Sequence, residues 1–340
     1  MHEQRAEQMR KRINIVRILV SAVTCMVATN LLVATDAFAQ GLQIEAKIPL
    51  GAVNGRIDHM AFDLARRHLF VAELGNDSVG VVDINKREVI HRITGLKEPQ
   101  GVGYVKATDM LYVANAGDGS VRLFRADNFE PAGRIDLGDD ADNIRIDANN
   151  LVYVGYGSGA LAVIDPSSAK KLSDIPLKAH PEGFQLARWS AHIFVNLPRQ
   201  GEIAVVDRAS GKITANWPLS KGANFPMALD HDNQHVIAVF RSPPTIEVFS
   251  ARDGKPVMTT QSCGDADDVF FDDKRKLVYV SCGTGYLDVF DARSAYRRTG
   301  RILTVSGART ALFVPEADRL MLAVRESGGQ RAAIWVYRPN

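Results

Sequence analysis

"LYVANAGDGSVRLF", Leu111 to Phe124, decides the fold. An apolar run ends in a turn of small and polar residues, and a second apolar run follows. That is the pattern of two strands joined by a hairpin. The pattern recurs as "LFVAELGNDSVGVVD", "VYVGYGSGALAVID", "IFVNLPRQGEIAVVD", "VIAVFRSPPTIEVF", "VYVSCGTGYLDVFD" and "LMLAVRESGGQRAAIWVY". The seven copies end near Asp83, Phe124, Asp165, Asp207, Phe249, Asp291 and Tyr337, about 40 to 47 residues apart.

Each copy carries flanking strands. A short strand and polar turn come before it, as in "MAFDLARRH" and "VFFDDKRK". Another strand comes after it, as in "REVIHRI" and "GKITANWPL". No convincing amphipathic helix intervenes. The middle strands are almost continuously apolar, which suits strands buried on both faces. Four-stranded antiparallel sheets at this period, packed around an axis, predict an all-β, seven-bladed β-propeller over residues 41–340. The last copy stops at "WVYRPN" without a fourth strand, while "QIEAKIPLG" near residue 43 is a strand without a blade. The N-terminal strand is therefore expected to complete the seventh blade and close the ring, leaving no open sheet edge.

The first 39 residues have a different character. Arg10, Lys11, Arg12 and Arg17 precede the apolar run Ile18 to Ala34, and "AFA" ends at Ala39. This is the layout of a cleaved secretory signal peptide, so a periplasmic or secreted protein is expected, with no membrane association after cleavage. The segment holds five of the 41 basic residues and three of the 39 acidic ones. Residues 40–340 then carry 36 of each, and composition gives no support for nucleic-acid binding.

At "LYVAN", Leu111 to Asn115, the chain resembles the YVTN-repeat propellers, the YncE-like family of exported bacterial proteins. "LFVA", "VYVG", "IFVN" and "VYVS" are variants of the same strand, and "EPQGV" and "HPEGF" match the family's Pro-x-Gly approach to the inner strand. The resemblance covers nearly all of residues 41–340. It implies architecture and says little about activity. The WD40 Trp-Asp pair, Cys-x-x-Cys-His, Gly-x-Ser-x-Gly, His-Glu-x-x-His and phosphate-loop patterns are all missing. A haem- or quinone-bearing redox propeller therefore has no ligand signature.

In a propeller the segments leading into the inner strands share one face with the turns between second and third strands. The strand cores repeat, but the lead-ins do not: "RIDHM", "EPQGV", "DADNI", "HPEGF", "NFPMA", "DADDV" and "GARTA". They place Asp58, His59, Gln100, Asp142, Asn143, Glu182, Asn224, Asp267, Asp268 and Arg309 around one channel mouth. The turns add Asn115, Tyr156, Asn196, Arg241 and Arg325. Variable polar loops on a rigid scaffold, around a concave mouth, are where ligands bind.

Asp58, Asp142, Glu182, Asp267 and Asp268 offer the oxygen donors of a calcium or magnesium site, or else accept backbone N–H bonds in tight loops. No EF-hand is present, because the twelfth position counted from Asp265 is Lys276. His59 beside Asp58 is either an oriented general base or metal ligand, or a donor to a loop carbonyl. His180 reads as structural. Arg241, Arg309 and Arg325 either clamp an anion or pair with the neighbouring acids. Cys263 and Cys282 form a disulfide, remain as buried thiols, or hold a soft metal. The expected function is a monomeric binding module for a small polar ligand or another exported protein. The alternative is a lactonase-type, metal-assisted hydrolase with His59 as base.

Overall fold

The computed structural model describes residues 41–340. The expected signal peptide lies outside the described residues. Within them, 28 strands form seven four-stranded antiparallel sheets arranged as a ring, and the helical content is three single 3-10 turns. Six blades take their strands in sequence order, over residues 60–93, 99–136, 141–176, 184–218, 222–261 and 266–303. The seventh has the order Leu42–Pro49, Ala333–Pro339, Arg319–Val324, Ala311–Val314. Leu42 pairs with Pro339 and Ile48 with Ile334, so the N-terminal strand closes the last blade.

The opening stretch forms the middle hairpin of the second blade, with Leu111 opposite Phe124 and Asn115 opposite Ser120. Second and third strands are buried on both faces, as in Ser78–Asp83 and Leu277–Cys282. Outer strands such as Pro131–Asp136 are mostly exposed.

Seven apolar clusters each lie between two adjacent blades. Alternation along one strand divides its side chains between two clusters. Leu69 and Val71 pack toward the seventh blade, while Phe70 and Ala72 pack toward the second. Each fully buried Leu, Val or Phe among them contributes about 1.5–3 kcal/mol. The ring is thus held by its blade-to-blade faces.

Aspartates punctuate the face opposite the mouth. Asp63 accepts from the Ala65 and Arg66 N–H groups at 2.9 and 3.2 Å, and Asp272 accepts from Lys274 and Arg275 at 3.0 and 3.2 Å. A short acidic side chain ties these hairpins by capping backbone donors two and three residues ahead.

At the other end, four inner strands break register where they begin. The shifts fall between Pro99 and Val102, Ala141 and Ile144, Asn224 and Met227, and Ala266 and Asp268. Such bulges release residues from the two-residue alternation and re-aim their side chains.

Candidate functional site

The bulged lead-ins crowd against one another. Gly101 and Gly183, the glycines of the two Pro-x-Gly segments, mark two of the close approaches. A Cβ on Gly101 would lie 2.0 Å from the Asp142 carbonyl oxygen, and one on Gly183 would lie 2.5 Å from that of Phe225. The Gly183 N–H donates to the Phe225 carbonyl at 3.0 Å, so the fourth and fifth blades join there by backbone.

A cavity of about 40 Å³ opens within this ring of lead-ins. Asp58 and His59 from the first blade line it, with Asp142 and Asn143 from the third, Glu182 from the fourth, and Asp267 and Asp268 from the sixth. At roughly 10–15 Å³ per water, it has room for about three waters or one small charged group. Arg56, Arg145 and Gln185 also line it. Sequence reasoning did not single these out. Arg56 opens the lead-in "RIDHM" but was passed over for the Asp-His pair that follows it, and the other two lie inside inner strands that read as scaffold. Their signal was a long polar residue in "NIRI" and "FQLA", where another blade has "GVGYV".

The remaining residues expected at the mouth lie elsewhere. Gln100 does not line the cavity, and its carbonyl accepts the His59 N–H at 3.1 Å. Asn224 is fully buried and donates to Asn196 Oδ1 at 3.0 Å, while Asn196 donates to the Phe225 carbonyl at 3.0 Å. These two amides stitch neighbouring blades. Asn115 turns back onto the Val113 and Ser120 carbonyls, and Tyr156 donates to Asp174 on the outer strand of its own blade. Arg325 is exposed beside Gly307.

Arg241 and Arg309 stand at the rim and are occupied. Arg241 binds Asp267, donates to the Ala266 carbonyl at 2.7 Å, and stacks 3.9 Å above the Phe225 ring. Arg309 lies 3.1 Å from Asp267 Oδ2 and donates to Asp265 Oδ1 at 2.9 Å.

The inner acids are less well compensated. Arg56 reaches Asp58 at 2.6 Å. His59 sits 3.8 Å from both Asp58 and Asp268, beyond hydrogen-bond reach of either. Asp268 accepts the Ala311 N–H at 2.8 Å. Burial pushes the Asp58 carboxyl up to about 6 and Asp268 up to about 7, and both also feel Asp267. Burial, with Asp142 nearby, pushes Glu182 up to about 7.

Burial also opposes charge on His59, but Asp58, Asp268 and Asp142 outweigh it and raise its pKa. Likewise burial pulls His180 down, yet Asp142, the Gly157 carbonyl and Asp140 lift it to about 9. Its Nδ1 lies 2.7 Å from the Gly157 carbonyl oxygen and its Nε2 3.9 Å from Asp142. His180 thus faces Asp142 electrostatically, its own ring fixed by the Gly157 carbonyl. Asp142 Oδ1 and Asn143 Oδ1 are buried without hydrogen-bond partners.

Among the described residues, no three His, Cys, Asp or Glu side chains come together as a metal-holding group. The five acids share the cavity but are interleaved with arginines. Cys263 and Cys282 are joined by a disulfide, with Cα atoms 5.9 Å apart. The bond braces the lead-in that carries Asp265, Asp267 and Asp268, since Ala266 pairs directly with Cys282.

Fold and site together define a seven-bladed β-propeller with an acid-rich polar channel mouth. No family model matches the chain, and no curated protein matches it. Among solved structures it is similar to the Kuenenia stuttgartiensis Hydrazine Synthase, with a TM-score of 0.72 and 16% identity over 84% of this chain and 97% of that one. At this identity the likeness establishes the fold alone. Solved chains similar to this one number 1784, as expected of an architecture that hosts many functions.

Proposed function

We propose that this chain is an exported, monomeric propeller of the YVTN-repeat (YncE-like) kind, which binds a ligand or a partner protein through its channel mouth. One observation carries the reading. Asp58, Glu182 and Asp268 converge on the cavity with carboxyls pushed up to about 6 to 7, beside the unpartnered Asp142 Oδ1. Buried acids in this state gain most when a positive group arrives, because it relieves both desolvation and mutual repulsion. The ligand is therefore a small cationic or zwitterionic molecule, or a basic side chain of another exported protein. Oxygen donors of this type suit calcium or magnesium chemically, but as placed the acids do not form a closed shell for a bare ion. A second reading, a lactonase-type hydrolase with His59 as base, rests on the two carboxylates flanking that ring.

Thermal shift at about pH 8 tests this. The protein is melted with an alkyl diamine, with calcium, magnesium, zinc or copper, and with chelator. A ligand at one hundred times its Kd stabilises by about 2.7 kcal/mol. The diamine is expected to raise the Tm, and Glu182→Gln is expected to reduce the gain. If neither the diamine nor any metal shifts the melt, the mouth is a closed ion-pair network and the binding reading fails. If only a metal shifts it and chelator reverses the shift, the hydrolase reading takes precedence.

A further inference from the structure

Arg145 is a charged group of the channel that the mouth does not explain. It stands on the inner strand Ala141–Ile146 and lines three successive cavities, of about 40, 330 and 550 Å³. Among the described residues no carboxylate comes within ion-pair distance of it. Its one hydrogen bond runs from Nη1 to the Ile144 carbonyl at 2.8 Å, and its guanidinium lies 5.6 Å from the Phe184 ring centroid. Burial draws its pKa down, against the pull of Asp268 and Asp142. A half-buried guanidinium with no carboxylate in ion-pair contact is a ready seat for an anion, whose fork of oxygens matches its donors.

The chamber beside it supplies the rest of a site. Its 330 Å³ lies at the lower end of small-molecule pockets, and Phe62, Ile144, Ile146, Phe270 and Leu312 line it. Gln185 lines it as well, with its Nε2 committed to the Met227 carbonyl at 2.8 Å. The charge balance selects the ligand. One unpaired guanidinium suits a monoanion, whereas a phosphate dianion brings a second negative charge against Asp268 on the same wall.

We propose that the channel, inward of the mouth, holds a second site for an organic carboxylate with a short apolar body, its carboxylate on the Arg145 fork and its chain among Phe62, Ile144, Phe270 and Leu312. The site shares Arg145, Gln185, Asp268 and Phe270 with the mouth cavity but does not depend on a cationic ligand binding there. Its test is calorimetric titration of the purified protein with hexanoate, hexanol and inorganic phosphate at about pH 8. Hexanoate is expected to bind one to one, with hexanol and phosphate each at least tenfold weaker. Arg145→Gln is expected to weaken hexanoate at least tenfold and to melt no lower than the parent, since it removes an unpaired charge. Arg145→Lys should retain part of the affinity. Phe270→Trp, which fills the chamber and leaves Arg145 in place, should also abolish binding and guards against a folding defect in the first variant. The proposal is overturned if Arg145→Gln binds hexanoate as the parent does, if phosphate binds as tightly as hexanoate, or if Arg145→Gln melts clearly lower than the parent, marking a structural arginine.

Discussion

Replacing Asp268 with Asn should make the ligand-free protein more stable, by an amount that grows as pH rises from about 4 to about 7. Asp268 is 7% exposed and accepts the Ala311 N–H, a bond that an asparagine oxygen preserves. Its carboxyl lies at about 7, against an ordinary value of 3.8. Between those values the unfolded chain has lost the proton and the native protein still holds it. The native state therefore binds more protons, and stability falls as pH rises through the window. About three pK units at 1.36 kcal/mol each give an upper bound of roughly 4 kcal/mol above pH 7. Losing the attraction to His59 subtracts from this, so about 2–3 kcal/mol is expected. Urea unfolding of parent and variant at about pH 5 and pH 8.5 measures it. The variant's advantage should be roughly a third as large at pH 5, where about 1.2 of the three pK units have been crossed, as at pH 8.5, where the Tm should rise by about 2–3 °C per kcal/mol. If the variant is weaker by the same amount at both pH values, Asp268 is a paired structural acceptor and the picture of poised acids is wrong.

Gly183→Ala should cost about 2–4 kcal/mol in the same assay, because its Cβ would meet the Phe225 carbonyl at 2.5 Å. Gly133→Ala on an outer strand, where the nearest atom is 3.8 Å away, should cost almost nothing, and equal losses would refute the close-approach argument. Deleting Leu42–Pro49 leaves the strand Ala333–Pro339 as an open edge, so light scattering should show association and the melt should lose cooperativity; a monomeric, cooperative product would sink the closure argument. Reducing the Cys263–Cys282 bond, which spans 19 residues, should add about two hydrogens in mass and cost about 3 kcal/mol by the loop-entropy argument. An unchanged mass on reduction would exclude the bond.

Much of the architecture was legible because propeller blades are local. A strand such as Met110–Asn115 finds its partner within about ten residues, across a turn whose chemistry is written in the same stretch. Repetition multiplied that weak local signal seven times, and the unmatched strand near residue 43 had one blade left to complete. The site was legible only in part. Asp58, Asp142 and Asp267 were found because the lead-ins differ between copies. Arg145 and Gln185 were not, because only the ring brings their inner strands to a common axis and turns those side chains into the channel.

Asn224 and Asn196 show the converse. In sequence they are polar residues on the mouth face, but the packing of the fourth blade on the fifth spends both amides on the scaffold. Strand periodicity, the number of blades, the closing strand and the variable lead-ins can all be read along the chain. Which polar groups remain unpaired depends on how the blades pack. A hydrogen bond or ion pair formed across blades depends on bulges and approach distances of a few tenths of an ångström, and nothing in the order of the residues encodes those directly.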